Sequence, residues 1–363
     1  MTRVMMALPE LDVGGAQILT LDLIREIRKK TPELCFQILV LDAPHGSYLE
    51  ERCRQEGIDV VYLGKGSGFS PGVIPSVIRA MRAFRPDVVH MHKSRMHYFL
   101  LPTLLSGARK RLYTVHNLAE QDTRNKWLRK LLSLSFHRFH VIPIAISDLC
   151  CKSLVETYGL QIADIPCIYN GIDLNKFRKP DGYTAGRRDI FKVLSVGRLS
   201  KQKNYPLLLR AAQKAHLRWP KLQFFILGEG DLRNSIEKQI EEEQAQDYVH
   251  LLGNVENVQE YLWDADLFFM TSDYEGLPLT VLEAMAAGLP IVSTKAGGIV
   301  DVVEEGKNGY LVDCNDEDAL VEAIGKLCSC PARCDSFSKE SAVLSNQYSL
   351  ERMAEKYLEM YLS

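Results

Sequence analysis

Two glutamates, Glu275 and Glu283, stand eight positions apart in the segment EGLPLTVLEAMAAGLP. An apolar run of strand length precedes the first, and an apolar helical run follows, with Pro278 predicted as the first helical residue. Glu283 has almost only apolar neighbours in sequence, so its carboxylate needs a partner or a ligand unless it is an ordinary solvated helix residue. A strand–turn–helix junction binds phosphate through free backbone N–H groups and the helix dipole. Two carboxylates flanking an anion site suit a nucleotide linked to a sugar.

Arg198 and Lys203 form a second candidate group, in the segment VGRLSKQKN directly after a predicted strand. Two cations there can neutralise a diphosphate, Arg through its planar fork and Lys as a point charge. The alternative is a pair of solvated surface charges. We favour the functional interpretation because ligands of open α/β sheets bind beyond the carboxyl ends of the strands.

Glycine turns follow two other predicted strands. Gly14 and Gly15 precede the first helix, and Gly228 lies in LGEGD. Such turns let a ligand approach the backbone closely, although the first is not the G-x-G-x-x-G pattern of NAD enzymes. Asn254 and Val255 follow a further strand, where their backbone can frame a nucleobase.

Several histidines, aspartates and cysteines raise the question of a metal. His90, His92 and His97 lie in VHMHKSRMHY, and we favour packing at a strand end with acceptor contacts for them. Two Asp-x-Asp strings, at residues 264–266 and 316–318, are explained by capping. The cysteines of CSCPARC lack the C-x2-C spacing of a zinc knuckle. We therefore predict no metal and no other cofactor.

The composition is that of a globular protein, with 46% hydrophobic and 25% charged residues among 363. A net charge of -2 argues against a nucleic-acid partner. No apolar run approaches the ~20 residues that span a bilayer, and the N-terminus resembles a first strand more than a signal peptide. The odd number of nine cysteines predicts reduced thiols and a cytoplasmic location.

Strand-like apolar runs alternate with amphipathic helical segments along almost the whole chain. The predicted strands are 3–8, 36–42, 59–63, 87–91, 111–115, 141–147, 192–197, 222–228, 249–253, 265–270 and 289–294. This alternation predicts parallel sheets in two doubly wound, Rossmann-like α/β domains.

A polar segment, FRKPDGYTAGRRD, separates the two series and is predicted to be a linker. The predicted domains are residues 1–178 and 189–346. Residues 347–363 form a terminal helix with one apolar stripe, which we expect to pack back toward the first domain.

These motifs together resemble the GT4 family of retaining glycosyltransferases with the GT-B fold, over nearly the whole chain. The segments that carry the resemblance are GGAQ, NGID, VGRLSKQKN, GEGD and EGLPLTVLEAMAAGLP. The family's fold places two Rossmann-like domains on either side of a cleft. The resemblance implies that Arg198 and Lys203 grip the diphosphate and that Glu283 binds the ribose hydroxyls. It also implies that Glu275 faces the transferred sugar, with help from the turn formed by Gly276, Leu277, Pro278 and Leu279.

The segment YTVHN resembles the family segment whose histidine lies beside the sugar, so the resemblance assigns His116 to that role. The alternative for this histidine is a helix cap or a core residue. The acceptor-side candidates are Gly14, Gln17, His92 and Asn117. Gln17 departs from the family, in which an acid is common at that position.

The function implied is retaining, metal-independent transfer from a nucleotide sugar to a glycan or polyprenyl-linked acceptor in cell-surface polysaccharide synthesis. UDP is favoured over GDP. The alternatives are a UDP-sugar 2-epimerase of the same fold and a non-catalytic nucleotide-sugar-binding subunit. The basic, aromatic-bearing segment 124–140 adds an anionic membrane surface as a partner to consider, on the inner face of the cell membrane.

Overall fold

The computed structural model describes residues 2–12, 14–66, 68–92, 95–183 and 189–363. The contacts divide the chain into two compact units: Met1–Gly171 with Leu350–Ser363, and Ile172–Ser349. Each unit contains one six-stranded parallel sheet with helices connecting its strands. The predicted doubly wound α/β architecture is therefore confirmed.

The first unit contains β1 to β6 and α1 to α7. Its strands are β1 (Arg3–Leu8), β2 (Cys35–Asp42), β3 (Asp59–Lys65), β4 (Val88–His92), β5 (Lys110–Val115) and β6 (Val141–Ala145). Its helices before the unit boundary are α1 (Gly15–Lys30), α2 (Tyr48–Gln55), α3 (Ile74–Phe84), α4 (Leu100–Leu105), α5 (Ala119–Asp122), α6 (Lys126–Arg138) and α7 (Asp148–Tyr158).

The first sheet has the strand order β3-β2-β1-β4-β5-β6. The order reverses between β1 and β4, which pair in parallel with Val4 beside Val88. Both strands are almost wholly buried, because helices cover both faces of a doubly wound sheet. The loops after β1, β4 and β5 therefore leave the sheet at or beside the switch point, where such folds bind ligands.

The second unit contains β7 to β12 and α8 to α14. Its strands are β7 (Phe191–Val196), β8 (Leu222–Leu227), β9 (Val249–Gly253), β10 (Leu267–Met270), β11 (Ile291–Thr294) and β12 (Gly309–Val312). Its helices are α8 (Leu174–Phe177), α9 (Tyr205–Arg218), α10 (Arg233–Glu242), α11 (Val258–Asp264), α12 (Leu279–Ala286), α13 (Glu317–Cys328) and α14 (Pro331–Ser345).

The second sheet repeats the topology of the first, with the order β12-β11-β10-β7-β8-β9 and its switch point between β7 and β10. The eleven predicted strands are all present, with bounds shifted by at most two residues. The edge strand β12 was not predicted, because four residues after a polar turn give too short a pattern for periodicity.

The last helix, α15 (Leu350–Leu362), belongs to the first unit, where it packs against α1. Its buried side chains include Met353, Tyr357 and Tyr361 of the predicted apolar stripe. The chain enters the second unit at Ile172, a few residues before the predicted end of the first domain. Segment α8 explains this difference, because it packs on α11 and α12 and its Phe177 carbonyl accepts a 2.7 Å hydrogen bond from Trp263 Nε1.

Residues 184–188 of the predicted linker lie outside the described residues. In the part of the chain that the structure describes, no helix is long and apolar enough to cross a membrane.

Candidate functional site

The second unit brings Lys203 and Glu275 together across its switch point. Lys203 follows β7 in a short 3-10 turn (Lys201–Lys203), and Glu275 follows β10. Nζ of Lys203 lies 2.7 Å from Oε1 of Glu275. Parallel neighbouring strands end at the same edge of a sheet, which is why residues 72 positions apart meet here.

Two further side chains fix the Glu275 carboxylate. The hydroxyl of Ser272 donates to Oε1 over 2.7 Å, and the amide of Gln202 donates to Oε2 over 3.1 Å. Glu275 is only 6% exposed, so these three donors hold a nearly buried anion in one orientation. Neither Ser272 nor Gln202 was predicted. The one signal available in the sequence was position, because Ser272 follows a predicted strand and Gln202 directly precedes Lys203.

Arg198 differs from Lys203 in its surroundings. It lies two residues beyond β7 with an exposed side chain, and no described residue makes an ion pair or hydrogen bond with its guanidinium. Its backbone is nevertheless held, because the next residue, Leu199, donates its N–H to the carbonyl of Glu229 over 2.9 Å. An exposed guanidinium on a fixed loop is suited to binding an anion from solution.

The glycine turn after β8 packs tightly against the loop that carries Arg198. Gly228 has a φ of +134°, and a Cβ there would lie 2.0 Å from the carbonyl oxygen of Gly197. The β7 loop thus makes a close backbone approach to Gly228, and the contact of this glycine with a donor stays a prediction. Asn254 and Val255 follow β9, an edge strand, and Asn254 is exposed.

The Gly-Leu-Pro turn after Glu275 is buried and braced by the loop after β11. Gly298 donates its N–H to the carbonyl of Gly276 over 2.7 Å. Gly297, with a φ of +59°, has space for no side chain, because a Cβ would lie 1.7 Å from the Glu275 carbonyl oxygen. Sequence reasoning missed Gly297, since a Gly-Gly pair alone indicates only a turn.

Helix α12 begins at Leu279, so the prediction that Pro278 is its first residue was wrong by one position. Pro278 has extended backbone angles (φ -71°, ψ 127°) and precedes the helix. Glu283 lies in the middle of α12 and is half-buried, whereas its neighbours Leu282 and Ala284 are buried. The two glutamates thus lie on the turn before α12 and within α12 itself.

The first unit places its candidates around its own switch point. Gly14 and Gly15 lie at the start of α1, and Gln17 is fully buried, with its amide 3.5 Å from Glu10 Oε1. The Asn117 side chain accepts a 2.8 Å hydrogen bond from the Leu118 N–H. That amide oxygen has a structural role in the turn after β5.

His92 and His116 meet in the same unit. His92 ends β4, His116 follows β5, and His92 Nδ1 lies 2.9 Å from His116 Nε2. Their rings stack with centroids 5.2 Å apart. His90, one strand repeat before His92, is completely buried, and burial holds its pKa well below the ordinary value.

The aspartates of both Asp-x-Asp strings are used within the protein. Asp266 accepts a hydrogen bond from the Lys192 N–H, and Asp264 pairs with the Lys192 side chain. Asp316 caps α13, and Asp318 pairs with Lys214. Among the described residues, no group of three or more His, Cys, Asp or Glu side chains could hold a metal ion. Metal independence remains a prediction.

Two family models match the chain. The model of glycosyl transferases group 1 matches residues 186–343, and that of glycosyltransferase family 4 matches residues 13–176. The chain belongs to the GT4 family of glycosyltransferases. The match covers most of both units.

Individual relatives carry names from this family. The chain is 26% identical over 235 residues to an uncharacterized glycosyltransferase of Methanocaldococcus jannaschii, covering 60% of this chain and 58% of the relative. It is 28% identical over 268 residues to the Escherichia coli UDP-Gal:alpha-D-GlcNAc-diphosphoundecaprenol alpha-1,3-galactosyltransferase (69% of this chain, 68% of the relative). A putative colanic acid biosynthesis glycosyltransferase of Salmonella typhimurium is 30% identical over 210 residues (56% and 50%). The chain thus spans roughly half to two thirds of the length of these relatives.

A solved structure shows the same fold. Anabaena HepE in complex with UDP and glucose superposes with a TM-score of 0.86, at 18% identity, over 99% of both chains. At this identity the likeness establishes the GT-B fold of the chain and no more.

Proposed function

We propose that this glycosyltransferase moves a sugar from a UDP-sugar to a glycan or polyprenyl-linked acceptor, with retention of anomeric configuration and without a metal. The observation that carries the proposal is the group at the second switch point: Glu275 is fixed by Lys203, and Arg198 is exposed on the same β7 loop as Lys203. Cations and an oriented carboxylate at one sheet edge suit a diphosphate joined to a sugar.

The diphosphate is assigned to Arg198 and Lys203. As the bond between the anomeric carbon and the phosphate oxygen breaks, negative charge develops on the leaving diphosphate. A guanidinium and an ammonium positioned in advance stabilise that charge, as a divalent cation does in metal-dependent transferases. The start of α12 adds the positive end of a helix dipole.

Glu275 is assigned to the hydroxyls of the transferred sugar. Its two oxygens already accept hydrogen bonds from Lys203, Ser272 and Gln202, which orients the carboxylate and diminishes its strength as a nucleophile. We therefore favour a same-face substitution over a covalent glycosyl–enzyme intermediate. The acceptor oxygen bonds to the anomeric carbon on the face from which the diphosphate leaves, and the acceptor proton passes to a phosphate oxygen.

The choice of donor rests on named relatives. The E. coli relative is named for UDP-Gal, and the HepE structure holds UDP and glucose. We assign Glu283 to the ribose hydroxyls, and Asn254 and Val255 to the base. A GDP-sugar is the alternative that the experiment below compares.

The acceptor proposal rests on relatives and on helix α6. One relative acts on a diphosphoundecaprenol-linked sugar by name, and another is named for colanic acid biosynthesis, which supports a role in cell-surface polysaccharide synthesis. In α6, Trp127 is 64% exposed and Leu134 is exposed, and helical spacing puts the exposed Lys126, Lys130 and Arg138 on either side of them. An exposed aromatic and aliphatic stripe between cations fits an anionic lipid surface. We accordingly propose a peripheral location on the inner face of the cell membrane.

The test is a nucleotide-release assay with UDP- and GDP-sugars, with and without lipid-linked and free glycan acceptors. We expect UDP release that depends on the acceptor, and a product whose anomeric proton coupling matches that of the donor. An inverted product would remove the retaining mechanism. Acceptor-independent conversion of a UDP-sugar to its 2-epimer would indicate the epimerase, and donor binding without turnover would indicate a non-catalytic subunit.

A further inference from the structure

A line of hydrogen-bonded and stacked side chains lies beneath His116 in the first unit. Nε2 of His116 is 2.9 Å from Nδ1 of His92. In a hydrogen bond between two imidazoles, one nitrogen donates and the other accepts, so one of the two must be unprotonated. The tautomer and ring plane of His116 therefore depend on His92.

The His92 ring in turn packs against the His90 ring. The two residues are one strand repeat apart on β4, so their side chains project from the same face of the sheet, and their ring centroids are 4.1 Å apart. His90 is completely buried and uncharged, because burial and the neighbouring His92 and His116 disfavour its cation. The His90 ring is a fixed surface against which His92 packs.

Both nitrogens of His90 are hydrogen-bonded, and α15 supplies part of that network. His90 Nδ1 lies 2.8 Å from the Tyr361 hydroxyl, and His90 Nε2 lies 2.7 Å from Thr114 Oγ1. The Thr114 hydroxyl is 3.1 Å from the hydroxyl of Tyr357. Tyr357 and Tyr361 are one helical turn apart and both are buried.

We propose that Tyr357 and Tyr361 are positioning residues for His116. Their hydroxyls, with that of Thr114, hold His90 in one tautomer and one ring orientation. His90 then fixes His92 through the contact between their tilted rings, and His92 fixes His116 through the hydrogen bond between their rings. The terminal helix thus acts on a residue more than 200 positions earlier in the chain. The catalytic consequence rests on the proposed function, which places His116 beside the transferred sugar.

Hydroxyl removal separates this role from packing. Tyr361→Phe keeps the ring, which lies 5.9 Å from that of His90, and removes the hydrogen bond to His90 Nδ1 together with a weak 3.9 Å contact to Met6 Sδ. Thr114→Val is a second variant of similar shape that removes the hydroxyl shared by His90 and Tyr357. The matched control is Tyr113→Phe, since Tyr113 is also buried on β5 but its hydroxyl donates to Asp122 Oδ2 over 2.6 Å.

The first measurement is independent of any reaction. Nitrogen-15 NMR of histidine-labelled protein reports which ring nitrogen of each histidine carries the proton. We expect Tyr361→Phe and Thr114→Val to change the ring nitrogen shifts of His90 and His116, and Tyr113→Phe to leave them unaltered. Unaltered His116 shifts in both variants, with melting temperatures that show a folded protein, would overturn the proposal.

The second measurement is kinetic. We expect Tyr361→Phe to lower kcat by about 10-fold with the donor KM nearly unchanged, because a small displacement of a reacting group slows the chemical step. In a His116→Ala background the same substitution should have no further effect, since coupled residues are not additive. A full additional loss in that background would show that α15 acts elsewhere and would contradict the proposal. If the wild-type protein transfers no sugar, the proposed function fails, and the NMR result still decides the coupling between α15 and His116.

Discussion

Lys203 and Glu275 form a nearly buried ion pair, with Nζ and Oε1 2.7 Å apart, across the switch point of the second sheet. The pair joins two candidates of different assigned roles, one for the diphosphate and one for the sugar. Lys203 therefore orients Glu275 as well as offering charge to a ligand. Arg198, which has no such partner among the described residues, offers charge alone.

This difference predicts different outcomes for two alanine variants. Arg198→Ala and Lys203→Ala should each lower kcat/KM by about 10²-fold, the effect of losing a group that stabilises developing charge. Lys203→Ala should also lower the free energy of unfolding by roughly 1–3 kcal/mol, because it leaves a buried carboxylate without its cation. Arg198→Ala should change stability by less than about 0.5 kcal/mol.

Steady-state kinetics and urea unfolding of the same variants check both statements. Lys201→Ala is the matched control, since Lys201 is exposed two positions before Lys203, and it should leave both quantities close to wild type. Near-normal turnover of Arg198→Ala and Lys203→Ala would exclude these residues from the site.

Gly297 should tolerate no side chain. In Gly297→Ala the new Cβ would lie 1.7 Å from the Glu275 carbonyl oxygen, so the turn that presents Glu275 must move. Gly306→Ala is the matched control, because Gly306 also has a positive φ (+75°) but no atom lies within 4 Å of a Cβ there. Gly306→Ala should lower the free energy of unfolding by about 1–2 kcal/mol, through backbone strain alone. Thermal unfolding and donor titration should show the larger loss in Gly297→Ala, and equal losses would contradict the steric account.

Burial of uncharged His90 predicts a pH-dependent contribution to stability. The folded state resists protonation of His90, whereas the unfolded chain takes up that proton below about pH 6.5. The contribution is complete above that pH and is lost as the pH falls toward the lower pKa of the folded state, at up to about 1.4 kcal/mol per pH unit. Among the described residues, the titratable groups facing His90 are His92, His116, Tyr357 and Tyr361.

Urea unfolding of wild type and His90→Gln tests this prediction. The measurements run from pH 7.5 to pH 5.5, an interval of about two units around the ordinary histidine pKa. The variant should lose stability less steeply on acidification than the wild type. Because burial also lowers the pKa of His97 and His250, the difference in slope between the two proteins is the relevant quantity. Parallel curves would contradict a neutral His90 in the native state.

Activity should survive EDTA, because the aspartates of both Asp-x-Asp strings are engaged within the protein. The assay compares donor turnover after chelation with turnover after addition of Mg²⁺ or Mn²⁺. Loss on chelation and recovery with either ion would refute metal independence. Asp264→Asn and Asp318→Asn should then be tested as candidate ligands.

The α6 surface predicts binding to anionic vesicles. Replacing Lys126, Lys130 and Arg138 with Glu should abolish co-sedimentation with phosphatidylglycerol vesicles, because each cation contributes about 1 kcal/mol near such a surface. Arg129 is left in place because its Nε donates to the Thr123 carbonyl over 2.6 Å, which holds the turn before α6.

A triple variant on the second unit provides the control for net charge. Lys238, Arg333 and Lys339 are all exposed, and their replacement by Glu changes the total charge by the same amount. This control should sediment like the wild type. If the wild type does not sediment at low salt, or if both triple variants lose binding equally, the α6 surface is not a membrane site.

The sequence by itself determined the fold class and the location of the candidate groups along the chain. Apolar runs alternating with amphipathic segments predict parallel sheets, because helical crossovers of the βαβ type return the chain to run in the same direction as the preceding strand. Parallel strands place their following loops at one sheet edge, so Arg198, Lys203 and Glu275 could be assigned to a common region from their positions after β7 and β10. Such regularities are local and periodic, so they can be recognised in a single amino-acid sequence.

The tertiary structure alone decided which side chains touch. Strand order and loop packing bring together segments that are far apart in sequence. They decide that Lys203 pairs with Glu275 and that Gln202 and Ser272 complete the hydrogen bonds of the Glu275 carboxylate. They also decide that Gly297 must lack a side chain. The same holds for α15, whose apolar stripe indicated that it must pack on something. Its two tyrosine hydroxyls contact Thr114 and His90 because the fold brings these segments together, which no local sequence pattern encodes.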